Sequence, residues 1–217
     1  LANNGVEVVL PRGQGCCGGL SWHTGDLAAA QGFARRNLAA FPADVDAILT
    51  NAAGCGSAMH EYHLVLRGTP DEARAEAFRH RVMDVSVFLA RLGLRAPLRG
   101  AGRPRKIAYH DACHLANAQN VRSQPRELLR AIPGVEVCEL ADAHLCCGSA
   151  GTYNIDQPEI AASLGRQKAA AVMATGAEVV ATGNIGCLTQ LQAQLRRAGS
   201  PIEVRHTMQV LRDAGAG

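Results

Sequence analysis

The tripeptide Cys-Cys-Gly occurs twice, at Cys16-Cys17-Gly18 and at Cys146-Cys147-Gly148, and the chain repeats itself around both copies. Gly5-Val6-Glu7-Val8 precedes the first copy as Gly134-Val135-Glu136-Val137 precedes the second. Downstream, Ile48-Leu49-Thr50-Asn51-Ala52-Ala53-Gly54-Cys55 matches Val180-Ala181-Thr182-Gly183-Asn184-Ile185-Gly186-Cys187. Later still, Val82-Met83-Asp84-Val85 to Leu89 parallels Val204-Arg205-His206-Thr207 to Leu211. The offset is 130 residues at the triplets and 132 at the downstream cysteines. That period is far longer than a solenoid repeat, so one domain-sized unit is present twice. Between the copies, Arg91 to Arg105 (RLGLRAPLRGAGRPR) is rich in Gly, Pro and Arg and has no period, which marks a connector. The expected organisation is a first unit over 1–92, a linker over 93–105 and a second unit over 106–217.

The cysteines carry the chemistry. There are 8, at positions 16, 17, 55, 113, 138, 146, 147 and 187, and no secretion signal accompanies them, so a reducing compartment without disulfides is expected. Adjacent Cα atoms lie about 3.8 Å apart, shorter than the roughly 4.4–6.8 Å a disulfide wants. A vicinal pair is therefore poorly built to bond to itself and well suited to gripping one soft metal centre. The second unit offers Cys113, Cys146, Cys147 and Cys187; the first offers Cys16, Cys17 and Cys55. The counterpart of Cys113 would lie before Leu1, so the chain reads as an N-terminally truncated piece. Four thiolates suit tetrahedral zinc or an iron–sulfur cluster. The chain has no C-x-x-C knuckle, and 32 residues separate Cys113 from Cys146 and 39 separate Cys147 from Cys187. That spread favours a cluster, with zinc as the alternative. Cys138 aligns with Val8-Val9 and reads as core packing.

Short β-branched runs at 6–10, 45–50, 106–110, 135–140 and 178–182 predict strands. Ala- and Leu-rich stretches at about 26–40, 55–67, 71–92, 115–131, 157–175 and 187–198 predict helices. Strands alternating with helices give an α/β fold, two pseudo-repeated units with parallel sheets flanked by helices. Cys113, Cys146 and Cys187 each follow a strand, and loops at the carboxyl ends of parallel strands converge on one crevice. His110 and His114 flank Cys113 and are candidates to hydrogen-bond the thiolates and tune the centre.

Composition narrows the function. Hydrophobic residues at 47% and charged ones at 19% exclude intrinsic disorder. A net charge of +3 without a basic block, together with 4% aromatics, argues against a nucleic-acid partner. No apolar run approaches 18 residues, so no transmembrane segment is expected. Of 22 basic residues only Lys106 and Lys168 are lysines, which reads as codon bias rather than function. Gly13-Gln14-Gly15-Cys16-Cys17-Gly18 fits G-x-G-x-x-G, but the second unit has Ala143, Leu145 and Gly148 there, so a dinucleotide loop is not a property of the unit.

These motifs resemble the CCG (cysteine-rich) domain family, present twice, as in heterodisulfide reductase, lactate-utilisation protein A, the anaerobic glycerol-3-phosphate dehydrogenase C subunit and the glycolate oxidase iron–sulfur subunit. Tyr109-His110-Asp111-Ala112-Cys113-His114-Leu115, Leu145-Cys146-Cys147-Gly148-Ser149-Ala150-Gly151-Thr152-Tyr153-Asn154 and Ala181-Thr182-Gly183-Asn184-Ile185-Gly186-Cys187 are most similar to the last. The resemblance implies an electron-transfer subunit of a flavin-dependent 2-hydroxy acid (glycolate) dehydrogenase, with no catalytic residue of its own; a lactate-utilisation or glycerol-3-phosphate dehydrogenase iron–sulfur subunit is the alternative. Its partners would be FAD-linked oxidase subunits and the quinone pool. Its location would be cytoplasmic, with a peripheral place on the inner face of the membrane as one option. Cys113, Cys146, Cys147 and Cys187 would ligate one [4Fe–4S]-type centre; Cys16, Cys17 and Cys55 would supply three ligands of another. The family's fullest pattern ends in C-x-x-C, where this chain has Ala58 and Gln190. That departure argues against the noncubane cluster and thiol–disulfide chemistry of heterodisulfide reductase.

Overall fold

A computed structural model describes residues 1–100 and 102–215. Ala101, within the expected linker, and Ala216 and Gly217, at the end of the expected second unit, lie outside the described residues. Two parallel sheets form. The first pairs β1 (Ile48–Thr50) with β2 (Val82–Asp84). The second has the order β4-β3-β5-β6, with β3 at Arg105–His110, β4 at Val135–Glu139, β5 at Val179–Thr182 and β6 at Glu203–His206. All four residues of β5 are buried, the pattern of a strand covered on both faces.

Helices cover both sheets. In the first half these are α1 (Gly19–His23), α2 (Leu27–Ala40), α3 (Ala53–His60), α4 (Tyr62–Val65), α5 (Glu72–Arg79) and α6 (Val85–Leu92). In the second they are α7 (Ser123–Arg130), α8 (Tyr153–Asp156), α9 (Pro158–Ala174), α10 (Ile185–Arg197) and α11 (Thr207–Gly215), with one π-type turn at His114–Ala118. The repeat seen in sequence reappears as structure. β1-α3 corresponds to β5-α10, α2 to α9, and β2-α6 to β6-α11.

The expected helix over 71–92 is two helices with β2 between them. Val82–Asp84 can be a strand because Ile48–Thr50 lies beside it and pairs residue for residue. The expected strand at 6–10 does not form, and Val8, Val9 and Leu10 are exposed at 47%, 51% and 77%. Its counterpart β4 pairs only with β3, and among the described residues of the first half no strand stands in the place of β3. An apolar extended segment without a partner leaves its backbone groups to water. Residues 93–100 and 102–104 contain no helix or strand.

The two halves share core. Val85 and Leu89 of α6 pack in one cluster with Ile107 and Tyr109 of β3 and Leu211 of α11. Backbone and side chains also join them: Ala53 N–H donates to the Gly183 carbonyl (3.1 Å), and His206 Nε2 lies 2.7 Å from the Asn51 carbonyl. The carboxyl end of β1 thus faces the carboxyl end of β5, with the cysteine-bearing segments on either side.

Candidate metal centre

In the second half the chain brings four thiols to one place from three strand ends. Cys113 follows β3 and opens the π-type turn; Cys146 and Cys147 lie in the loop between β4 and α8; Cys187 sits in the first turn of α10, after β5. Cys113 faces Cys146, and Cys147 faces both Cys146 and Cys187. Cys147 and Cys187 are buried, at 1% and 3% exposure, whereas Cys113 and Cys146 are half-buried.

Hydrogen bonds single out two of the sulfurs. Gly148 N–H donates to Cys146 Sγ at 3.3 Å, and Asn184 Nδ2 donates to Cys187 Sγ at 3.6 Å. Cys146 is held far below the usual thiol range, first by the Cys113 thiol and then by the Cys147 thiol; Cys187 is held well down by the Cys147 thiol. Cys113 and Cys147 are pushed up, chiefly because each shares a proton with the ionised Cys146. Four thiols this close cannot all ionise against one another without a cation among them.

His110, the last residue of β3, completes the set. It is 1% exposed, and neither ring nitrogen has a hydrogen-bond partner. One of those nitrogens and the sulfurs of Cys147 and Cys187 lie within 4.8 Å of one another. A buried imidazole without partners is costly unless something in the site engages it. The orphaned imidazole and the sulfur-rich donor set both fit a soft metal centre. His114 is the weaker of the two predicted histidines: its Nδ1 lies 3.7 Å from Cys113 Sγ, and its ring stands 5.6 Å from that of His23.

Local geometry explains the glycine of the triplet. Gly148 has φ +91°, and an added Cβ would overlap the backbone of Ala161 on α9. Glycine is what allows the loop to turn and press against that helix. Asp111 and Arg126 brace the same region from the side. Arg126 bonds both Asp111 oxygens, at 2.9 and 2.6 Å, reaches Glu139 at the end of β4, and lies 4.5 Å over the Tyr109 ring.

The first half repeats the arrangement with three thiols. Gly18 N–H donates to Cys16 Sγ at 3.4 Å, the counterpart of the Gly148 bond. Cys17 and Cys55 face each other. The Cys17 thiol holds Cys55 down to about 7, and Cys17 itself is pushed up by that shared proton and by burial. Cys16 is exposed. Asn37 Nδ2 donates to the Cys16 carbonyl and to Tyr62 Oη, and Tyr62 Oη donates to the Cys17 carbonyl. The structure thus sets Cys113 beside Cys146 and Cys147 beside both Cys146 and Cys187 in one half, and Cys17 beside Cys55 in the other, where Cys16 is exposed.

Cys138 departs from expectation. It lies half-exposed on the edge strand β4, with Sγ 3.9 Å from Glu136 Oε1, and not in the core. β4 is at the sheet edge, so its residues are covered on one side only. Ala58 is buried, and Gln190 Nε2 donates to the Ala161 carbonyl (3.2 Å), so neither offers a further sulfur. Sequence reasoning missed Asn184, Asn37 and Lys168. The repeat held one usable signal, since the polar residues at 37 and 168 both interrupt apolar stripes.

Comparison with known proteins agrees with this geometry. The CCG cysteine-rich domain matches residues 1–60 and 107–192. The chain belongs to the CCG cysteine-rich domain family. Among its relatives, the "Probable glycolate oxidase iron-sulfur subunit" of Bacillus subtilis (strain 168) is 40% identical over 203 residues, covering 93% of this chain and 46% of the relative. "Lactate utilization protein A" of Shouchella clausii (strain KSM-K16) is 30% identical over 212 residues, covering 97% and 88% respectively. This CCG-family chain therefore spans about half the length of the first relative and most of the second. No described helix is long and apolar enough to cross a membrane.

Proposed function

We propose that the chain is the two-unit CCG portion of an iron–sulfur electron-transfer subunit. In this reading it takes electrons from a flavin-linked oxidase that acts on a 2-hydroxy acid, glycolate first, and passes them towards quinone. Cys113, Cys146, Cys147 and Cys187 hold one centre, and Cys16, Cys17 and Cys55 are three ligands of the other. The approach of four thiols from three strand ends, two of them buried beside the unpartnered His110, carries the proposal. Similarity to the glycolate oxidase iron–sulfur subunit and to lactate utilization protein A supports it.

A [4Fe–4S]-type cluster would supply a one-electron carrier. The chain's own residues do the rest. Burial of Cys147 and Cys187 keeps water from that side. The N–H groups of Gly148 and Asn184 draw charge from two sulfurs, a lever on potential. Asn184 also accepts from Gly54 N–H (3.2 Å), one residue before Cys55, so the two cysteine sets are held in fixed relation.

Anaerobic preparation followed by iron and sulfide determination, visible spectroscopy and EPR tests the reading. Brown protein with a reducible EPR signal is expected. Stoichiometric zinc with no iron would overturn it in favour of a structural zinc module.

A further inference from the structure

One of the chain's two lysines is buried against the loop that carries Cys146-Cys147. The buried face of α9 runs Ala161, Gly165, Lys168, Ala169 and Val172, so Lys168 occupies a position where the helix otherwise presents small apolar residues. It is 2% exposed, and Nζ donates to the Asp142 carbonyl at 2.7 Å. Asp142 lies in the loop that carries Cys146-Cys147. An ammonium taken out of water is expensive unless opposite charge or hydrogen bonds meet it. Here burial pulls the Lys168 pKa down, while Cys147, Asp142 and Cys146 pull it back up.

The first half supplies an internal comparison. The buried face of α2 runs Ala30, Ala34, Asn37 and Leu38, which superimposes on Ala161, Gly165, Lys168 and Ala169 at a constant offset of 131 residues. Asn37 performs the mechanical part of the same role. Its Nδ2 donates to the Cys16 carbonyl and its Oδ1 accepts from Gly15 N–H, both at 3.0 Å. A neutral amide therefore suffices to tether a cysteine loop to this helix. The second unit tethers its loop with a cation. In a chain that uses arginine at 20 of 22 basic positions, this slot takes the compact point charge rather than the planar fork.

We infer that Lys168 is a positioning residue for charge: its buried ammonium stabilises the reduced, more negative state of the centre held by Cys113, Cys146, Cys147 and Cys187. Uptake of one electron from a flavin-type donor adds one negative charge beside Lys168. No bond forms or breaks and no proton moves, so a cation bonded to the cysteine loop favours the electron-rich side of the couple. The first unit, with Asn37 in this place, lacks that bias. This inference rests on the proposed cluster.

Redox titration of the holoprotein, followed by EPR, tests it, with Cys146→Ser identifying which signal belongs to the second centre. Lys168→Gln keeps a donor for the Asp142 carbonyl and loses the charge. It should lower the one-electron reduction constant of that signal about tenfold, which is about 59 mV. Lys168→Arg keeps the charge and should stay within about threefold. A Lys168→Gln shift under about threefold, or an equal shift in Lys168→Arg, would overturn the inference and leave the cluster reading intact. Loss of iron from both variants would also count against it, because either side chain can still hold the loop. Wild-type protein without iron would overturn the cluster reading and this inference with it.

Discussion

Replacing Gly148 with alanine should loosen the second cysteine loop at a cost that can be worked out beforehand. Two terms act against the variant. At φ +91° an L-residue is strained by about 1–3 kcal/mol. The new Cβ would also sit 3.1 Å from both the Ala161 carbonyl carbon and Gln190 Nε2, and closer still to the Ala161 oxygen, so the loop must back away from α9. Overpacking of that kind costs about 1–3 kcal/mol. Reduced freedom of the unfolded chain returns about 0.4–1 kcal/mol. The net destabilisation is about 3 kcal/mol. Gly25→Ala is the control, because Gly25 has φ +85° but nothing within 4 Å of its would-be Cβ. It carries the strain without the collision and should cost about 1 kcal/mol. For a chain of this size about 2–4 °C of melting temperature corresponds to each kcal/mol, so Gly148→Ala should melt about 6–12 °C below wild type and Gly25→Ala about 2–4 °C below. Calorimetry on both variants, paired with iron per chain, reads the outcome. Equal melting temperatures for the two would refute the packing of the loop on α9 and the role given to the glycine.

Other outcomes follow from the same geometry. Cys146→Ser or Cys147→Ser should abolish the EPR signal of the second centre, while Cys138→Ser, on the edge strand away from the other sulfurs, should retain full iron content. Arg126→Leu strands the Asp111 carboxylate, whose side chain is 9% exposed, and should cost about 3–5 kcal/mol in urea unfolding, with Arg126→Lys recovering only part. Asp84, buried at the end of β2, has its pKa raised by burial, an effect that its bonds from Ser86 N–H and Oγ oppose. The folded state therefore binds the proton more tightly than the unfolded one, and stability falls as pH rises from the ordinary carboxylate range through the raised value. Asp84→Asn keeps an acceptor for Ser86 and should remove that slope; an unchanged slope in urea midpoints across pH 4–8 would rule Asp84 out as its source.

Particular elements show what was legible. The long helix α9 was readable because it carries its own pattern over 17 residues, and β5 because its short apolar run is β-branched. β2 was not, because Val82–Asp84 is three residues long and continues a helical pattern; only hydrogen bonds from Ile48–Thr50 make it a strand. The run at 6–10 failed the other way. It has strand composition, but a strand exists only where a neighbour supplies hydrogen bonds.

The chain's sequence by itself determined where the candidate donors fall: two CCG triplets, the downstream cysteines at matching offsets, and His110 near Cys113. Thiols are rare and chemically distinctive, so their spacing survives as a signal without any knowledge of packing. Tertiary structure alone decided what surrounds them. It left both nitrogens of His110 unpartnered next to Cys147 and Cys187, joined Asn184 to Gly54 across the two halves, and turned a lysine that read as compositional noise into a buried cation. Burial and electrostatic surroundings depend on distances between segments far apart in sequence. In this protein those distances are set by the parallel strand order β4-β3-β5-β6, which brings residues 110, 146 and 187 to the carboxyl ends of adjacent strands.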